Sequence, residues 1–313
     1  MLDYHIVSHV PNYNITIVLS LQSILNYFSS CANTIFMSEF CELVAEYETM
    51  NAARLAGAFA AEGKISLDRR DDGGNSTYFI TLGEDLYYDP ELKAELADKV
   101  ARVLRALLRK HGVTKRDLVM TVGVGNEGMT ADALGAKTLK YLDITEHLYA
   151  ARLKPRGKGR LSGVASGVSG VTGLESYEIV RGVTDRVSPK LVIAVDTLAA
   201  RQASRLKRVV QISDRGLVPG SGVSNARAPL NAESLGVPVV AIGVPLVIYA
   251  RNILLEYAGG YKLSDLAGGK DNAYNRSARE LEDLVVTLKE IDVAVEDFAE
   301  ALGRGINAAV HGM

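Results

Sequence analysis

Short apolar runs in the middle of the chain alternate with polar turns and with stretches of helical spacing. Four of these runs are rich in Val and Ile, at residues 118–124, 191–195, 209–212 and 237–244. Continuous apolar runs of this length are typical of strands that are buried on both faces, as in parallel sheets. The pattern therefore predicts an α/β fold of the phosphorylase/hydrolase-like type, with a central, mainly parallel sheet flanked by helices.

The residues before these runs predict a small N-terminal α+β subdomain at about 51–115. Apolar residues at 52–60 have helical spacing, and the Gly-rich turn 71–75 precedes a strand-like run at 77–82. Pro90 then begins a long amphipathic helix that ends at Gly112. At the other end of the chain we expect two helices that cover the sheet, one through Leu284 and Val285 and one at 291–302.

Residues 1–40 are predicted to be a pro-segment or an irregular appendage, with residues 41–313 forming the α/β domain. The first 50 residues contain both cysteines, Cys31 and Cys41, and show no clean period of 2 or 3.6. Their most apolar stretch, 15–25, is too short to span a bilayer, and no secretory pattern precedes it. We therefore expect a cytoplasmic protein that makes no membrane contact.

The charge balance removes one class of function. Lys plus Arg total 35 and Asp plus Glu total 37, so the formal net charge of -2 provides no global field to attract nucleic acid. The basic stretch 152–160 lacks aromatic partners and is typical of a solvated loop. We do not expect direct binding to nucleic acid.

Acidic residues follow three of the predicted strands, and in open α/β sheets ligands bind beyond the carboxyl ends of the strands. Asp132 lies a few residues after the first run, in the expected first turn of a helix capped by Thr130. Asp196 follows the second run directly, and Asp214 follows the third. Each acid alone could simply begin a helix or a turn, but Asp132 and Asp196 together predict a pair that faces one crevice. Asp214 is a reserve candidate, for which an Asx turn before Gly216 is an equal alternative.

Two close carboxylates can hydrolyse an amide, because one can take a proton from water while its protonated neighbour donates to the carbonyl oxygen. The chain contains no His-Glu-x-x-His and no Gly-x-Ser-x-Gly, and its five histidines lack paired ligand spacing. The sequence therefore favours hydrolysis that uses no metal and no cofactor.

A second interpretation stays open on the residues alone. Residues 123–128 match Gly-x-Gly-x-x-Gly after a strand, which is the dinucleotide fingerprint. The acid expected about 20 residues further on would be Asp143, which lies in a helical pattern and not at the end of a second strand. The alternative to a hydrolase is thus a nucleotide-binding α/β module.

The same segments resemble the germination proteases of spore-forming bacteria. The resemblance covers roughly residues 118–311 and is carried by Gly123-Val124-Gly125-Asn126 and by the segments 132–135, 170–175, 193–199, 211–214, 219–223, 235–245, 289–292 and 305–307. That family is in turn distantly similar to the hydrogenase maturation proteases, whose Gly-x-Gly-Asn strand end also precedes an acid in a helix.

The resemblance implies an aspartic-type endopeptidase that degrades small acid-soluble spore proteins during germination, in the forespore or spore core. Matched position by position, the two catalytic aspartates correspond to Asp132 and Asp196. Supporting or substrate-binding roles are expected for Gly125, Asn126, Glu175 and Asp214. A catalytically silent relative that only binds spore proteins is a third possibility.

The resemblance also implies a zymogen that removes its own N-terminal segment and a homotetramer. Ser38-Glu39-Phe40 resembles the acidic-then-apolar sequence at which the spore-protein substrates are cut. We therefore expect autoprocessing near Glu39 and Phe40. The Arg-Thr-Asp-Leu-Ala segment that is usual in the family is replaced here by residues 41–45, Cys-Glu-Leu-Val-Ala, which leaves the boundary of the pro-segment open.

Overall fold

The structure, a computed structural model, describes residues 5–9, 16–20, 64–153, 155–219, 228–257 and 284–313. The helix expected at 52–60, both cysteines, and the pair Glu39 and Phe40 lie outside these residues. The chain divides into two compact units, one made of residues 1–39 and 249–284 and the other of residues 40–248 and 285–313.

The described elements are numbered in chain order. The strands are β1 (His5–His9), β2 (Thr16–Ser20), β3 (Ile65–Asp72), β4 (Asn75–Leu82), β5 (Leu118–Val124), β6 (Arg160–Gly167), β7 (Leu191–Ala200), β8 (Val209–Ser213), β9 (Val239–Tyr249) and β10 (Val285–Thr287). The α-helices are α1 (Pro90–Lys110), α2 (Leu134–Lys140), α3 (Glu146–Ala150), α4 (Ser169–Thr172), α5 (Ser176–Val187), α6 (Ala232–Leu235), α7 (Ala250–Tyr257) and α8 (Ile291–His311).

The larger unit is built on one eight-stranded sheet with the order β3-β4-β8-β9-β7-β5-β6, and β10 pairs with β9. Strands β6, β5, β7 and β9 are parallel, whereas β8 is antiparallel to both β9 and β4. The sheet is therefore mixed, and the parallel direction that we expected for 209–212 was wrong. The connection 201–208 is shorter than the dozen or more residues that a parallel crossover needs, so the chain runs back from the edge where β7 ends.

Strands β3 and β4 belong to this same sheet. They form the predicted hairpin, in which Asp72 lies opposite Asn75, and β4 pairs with β8. Gly73 and Gly74 take the positive φ angles that the two-residue turn requires. The described residues of the expected subdomain at 51–115 thus extend the central sheet and its helical layer.

Helix α1 was predicted correctly, and its residues show why it forms. The Asp89 carboxylate accepts a hydrogen bond of 2.9 Å from the backbone N–H of Leu92, and Pro90 begins the first turn. Leu96, Val100 and Leu104 lie on its fully buried face. Burying each leucine contributes about 1.5–3 kcal/mol, so packing against the sheet and α8 stabilises this helix.

Helices cover both faces of the sheet. On one face α1, α2 and α8 pack over residues such as Val119 and Ile193. On the other, α5 and the segment around α6 pack over Val122 and Ala194. Side chains of neighbouring strand residues point to opposite faces, so the continuous apolar runs of β5, β7 and β9 supply both cores.

The C-terminal region differs in part from the prediction. Helix α8 is present, but Val285 lies in strand β10 and not in a helix. The β-branched run Val285-Val286-Thr287 suits a pleated strand, and the Thr287 hydroxyl donates to the carbonyl of Leu246 on β9 at 2.8 Å. Among the residues that the structure describes, none of the helices is both long and apolar enough to cross a membrane.

Candidate active site

Two neighbouring parallel strands bring Asp132 and Asp196 to the same edge of the sheet. In the β5–β7 pair Gly123 lies opposite Val195, so Asp196 comes level with Val124 across a strand spacing of about 4.8 Å. Asp196 is buried, with 7% of its surface exposed. The turn that carries Asp132 begins at Gly125, directly after Val124. Both acids therefore lie on the side of the sheet at which β5 ends, and their pairing at one crevice stays a prediction.

The turn after β5 folds back on itself and presents Asp132. The Asp132 carboxylate accepts a hydrogen bond of 2.7 Å from the backbone N–H of Asn126. The Asn126 side chain accepts one of 2.9 Å from the N–H of Gly128. Gly125 and Asn126 thus hold the acid through the backbone, and the supporting role expected of them stays a prediction.

Asp132 lies before the helix and not in its first turn. Residues Thr130–Asp132 form a short 3₁₀ turn, and α2 begins at Leu134 without a side-chain cap. The expectation that Thr130 caps the helix was wrong. The bond from the Asn126 amide draws the Asp132 carboxylate back towards the strand, so the acid lies over the end of β5.

Glycines allow this turn to lie directly on the sheet. Gly125 has a φ of 101°, and a Cβ atom there would lie 2.1 Å from the carbonyl oxygen of Asp132. A Cβ on Gly135 would lie 2.4 Å from the carbonyl oxygens of both Val124 and Val195. No side chain fits at either position. Gly135 was not among the predicted site residues, although its place in the Asp-Ala-Leu-Gly segment was visible in the sequence.

Asp196 is also held by the backbone. One of its carboxylate oxygens accepts a hydrogen bond of 2.8 Å from the N–H of Thr197. This amide bond fixes the position of the Asp196 carboxylate within β7.

Asp214 lies elsewhere. Because β8 is antiparallel to β9, its carboxyl end lies at the opposite edge of the sheet from Asp132 and Asp196. Asp214, the reserve candidate, therefore lies away from Asp132 and Asp196. Its carboxylate accepts hydrogen bonds from Lys110 Nζ at 2.6 Å and from the Ser76 N–H at 2.7 Å, and lies 3.1 Å from His111 Nε2.

These contacts determine the charge of Asp214. Burial alone would raise the pKa of its carboxyl, but the hydrogen bonds from the Lys110 ammonium and the Ser76 amide, together with the charge of Lys110, lower the pKa below its ordinary value. The carboxylate is therefore ionised and joins the β3–β4 hairpin to the end of α1.

Glu175 lies on the side of the sheet where the candidate acids are. It precedes α5, and its backbone N–H donates a hydrogen bond of 2.9 Å to the carboxylate of Glu178. The hydroxyl of the next residue, Ser176, donates a hydrogen bond of 3.0 Å to the carbonyl of Gly167 at the end of β6. Since β6 is parallel to β5, Glu175 lies near the same strand ends. Its expected role as a supporting residue stays a prediction.

The carboxylate of Asp132 lies against the glycine-rich turn after β5, which argues against the nucleotide-binding alternative. A dinucleotide fingerprint needs backbone N–H groups that point at a pyrophosphate from the start of a helix. Here the Asn126 N–H donates to the Asp132 carboxylate, and a carboxylate in this position repels phosphate. The observed turn favours a hydrolytic site.

Strand β7 extends to Ala200, so Asp196 lies within it and does not follow it as the sequence suggested. The fold and the site thus define an α/β protein with one aspartate in the turn after β5 and another within the neighbouring parallel strand β7. The sequence profile of the family described as germination protease matches residues 70–272. The chain belongs to the germination protease family.

Individual relatives agree with this assignment. The germination protease of Caldanaerobacter subterraneus subsp. tengcongensis is 39% identical over 242 residues, which cover 70% of this chain and 74% of that protein. The germination protease of Oceanobacillus iheyensis is 34% identical over 273 residues, covering 71% and 74%. That of Bacillus anthracis is 34% identical over 276 residues, also covering 71% and 74%.

Proposed function

We propose that this protein is an aspartic-type endopeptidase that cleaves small acid-soluble spore proteins during germination, with Asp132 and Asp196 activating water. A peptidase activity follows from membership of the germination protease family. The observation that best supports the two aspartates is that β7, which carries Asp196, is the direct neighbour of β5, whose following turn carries Asp132. The substrate is proposed from the resemblance of the motif segments.

The proposed chemistry needs one ionised and one protonated carboxyl. The ionised carboxylate takes a proton from a water molecule as its oxygen attacks the peptide carbonyl carbon, and the protonated carboxyl donates to the carbonyl oxygen. When the C–N bond breaks, the amine leaves with a proton. Water is consumed, and a carboxyl and an amino terminus are formed. Either carboxyl can take either role.

Incubation with a purified small acid-soluble spore protein tests the activity and the substrate together. We expect a few discrete cleavages, visible as new termini by mass spectrometry, and none in a folded globular protein used as a control. An intact spore protein after prolonged incubation with the full chain and with an N-terminally trimmed form would contradict the proposal.

Autoprocessing and assembly form a further part of the proposal. The Ser38-Glu39-Phe40 sequence supports cleavage of a pro-segment near Glu39 and Phe40, and the family resemblance supports a homotetramer. N-terminal sequencing of the matured protein should place the new terminus within residues 37–44. Light scattering should give a mass of four chains, and a monomeric active enzyme would reject the tetramer.

A further inference from the structure

The edge strand β6 has an open section close to the candidate active site. It pairs on one side with β5, and it ends the described order of the sheet on the other. Its sequence, Arg-Leu-Ser-Gly-Val-Ala-Ser-Gly, contains no proline and a single charge, at the start. Charges, proline or a covering element commonly prevent natural edge strands from pairing with another strand. After its first residue, β6 has neither charge nor proline, so its sequence does not oppose pairing with a further strand.

The direction of the backbone groups on β6 follows from its first residues. The Leu161 N–H donates a hydrogen bond of 2.9 Å to the Thr145 hydroxyl, and the Leu161 carbonyl accepts one of 3.0 Å from the Thr145 N–H. The backbone N–H and C=O groups of Leu161 therefore point away from β5. In a parallel strand this direction alternates with each residue, so Gly163 and Ala165 also present their N–H and C=O groups outward.

These outward groups are accessible. Both Gly163 and Ala165 are exposed, and within the part of the chain that the structure describes no hydrogen bond reaches their outward N–H or C=O groups. The chain itself shows what this edge can bind, because Thr145 already pairs with its first outward residue. An extended backbone that continues from that point would meet the next two.

The open section leads towards the candidate acids. Ala165 lies opposite Gly123, and Gly167 lies opposite Val124, the last residue before the turn that carries Asp132. An added strand would lie two strand spacings, about 10 Å, from β5. Three extended residues span that distance at about 3.3 Å each. A chain on this edge can therefore cross the end of β6 and reach Asp132.

We propose that β6 binds an extended segment of the protein substrate as an additional strand, through the backbone groups of Gly163 and Ala165. This inference rests on the proposed peptidase function. Main-chain hydrogen bonds of this kind accept many sequences, because they do not read side chains. The bound segment lies at least three residues from the bond that is cut, and the exposed Val171 and Leu174 just beyond β6 provide apolar contact on the way.

Strand β3, the outer strand on the other side of the sheet, provides a matched control. The backbone N–H and C=O groups of Leu67 also point away from the neighbouring strand β4. This direction follows because Gly83 and Lys64 form a hydrogen-bonded pair and the direction alternates with each residue from there. That edge carries the charged run Asp68-Arg69-Arg70-Asp71-Asp72, and three strands separate it from β7. It is therefore unsuited to the same task.

Proline replacement removes an outward N–H without breaking the sheet on either edge. We expect Ala165→Pro to raise KM for the spore protein at least tenfold with kcat within twofold of the wild type. Leu67→Pro should leave both constants within twofold. Equal kinetics for the two variants would overturn the inference while leaving the peptidase intact. A wild-type enzyme that cuts nothing would instead reject the proposed function itself.

A second measurement uses the wild-type enzyme and so does not depend on the folding of a variant. Peptides that span a mapped cleavage site are N-methylated at one backbone amide at a time. Methylation of alternate residues, three or more from the cut bond, should raise KM, and methylation of the residues between them should not. A uniform response along the peptide would contradict strand addition. So would sedimentation data in which Ala165→Pro splits an oligomer without changing KM, because a second copy of the chain would then occupy the edge.

Discussion

At one edge of the central sheet Asp132 and Asp196 accept hydrogen bonds from the backbone amides of Asn126 and Thr197. At the opposite edge, Asp214 is held by the ammonium of Lys110 and lies beside His111. The difference lies in what the contacts join. The ion pair of Asp214 ties the end of α1 to the β3–β4 hairpin and keeps the carboxylate ionised, whereas Asp132 lies in the turn after β5 and Asp196 within β7.

Under the proposed function, this contrast separates two acids that take part in catalysis from one that maintains the fold. A carboxylate neutralised by lysine contributes to stability and stays charged, and removing its partner leaves a buried charge. The proposed catalytic pair must instead pass between protonation states during the reaction. Substitutions at the two edges should therefore affect different quantities.

The largest expected effect is on catalysis at the first edge. Asp132→Asn and Asp196→Asn should each lower kcat/KM by at least 10²–10⁴-fold, the range for loss of a general acid or base. The double variant should be little worse, because residues that act as a unit are not additive. Asp185→Asn, at an exposed acid paired with Arg181 on α5, is the control and should keep full activity. Folded variants with wild-type turnover would disprove the mechanism.

The next effect concerns the backbone that positions Asp132. Gly125→Ala places a Cβ atom 2.1 Å from the Asp132 carbonyl oxygen, so the turn must move. A displacement of about 1 Å at a catalytic group can cost about 100-fold in rate, and we expect a loss of that order in kcat.

Gly157→Ala is the matched control for Gly125→Ala. Gly157 also has a positive φ, 77°, but nothing lies within 4 Å of a Cβ there. This variant should lose about 1 kcal/mol of unfolding free energy through backbone strain and keep its kcat. Denaturant unfolding and steady-state kinetics measure both quantities, and similar kcat values for the two variants would refute the positioning argument.

At the second edge the expected effect is on stability. Lys110→Met leaves the Asp214 carboxylate, whose side chain is 1% exposed, without its cation. We expect a loss of about 3 kcal/mol in unfolding free energy, while kcat/KM of the folded enzyme stays near the wild-type value. A drop in kcat/KM comparable with that of Asp132→Asn would show that the two edges are not functionally separate.

The smallest effect is the pH dependence of this contact. The pKa of Asp214 is lower in the folded protein than its ordinary value of 3.8. Its contribution to stability is therefore complete above about pH 4 and is lost as the pH falls below that value, through the folded pKa. The difference in unfolding free energy between the wild type and Asp214→Asn should shrink as the pH is lowered from 5 to 3. A constant difference over this range would contradict the assignment.

Much of the local structure could be predicted from the sequence. The hairpin around Gly73 and Gly74, the helix that begins at Pro90, and the buried strands β5, β7 and β9 all followed from turn residues and apolar spacing. The same patterns could not give the place of Val285, because a short β-branched run becomes a strand only when a partner such as β9 is beside it.

The candidate site was predictable to the extent that strand direction was. Asp132 and Asp196 follow apolar runs that predict parallel strands, and those two strands are neighbours. Asp214 also follows such a run, but its strand is antiparallel. No feature within 209–214 reveals that direction, because a short apolar strand has the same residue pattern in a parallel or an antiparallel pair.

The sequence by itself determined which segments are buried, where the turns lie and which acids follow the apolar runs, because side-chain hydrophobicity and turn chemistry act over a few residues. The tertiary structure alone decided that β5 and β7 are neighbours, so that Asp132 and Asp196 lie on one side of the sheet, while Asp214 pairs with Lys110 on the other. The physical reason is that the direction of each strand depends on the path of its connections and on its hydrogen-bonding neighbours, which lie far apart along the chain.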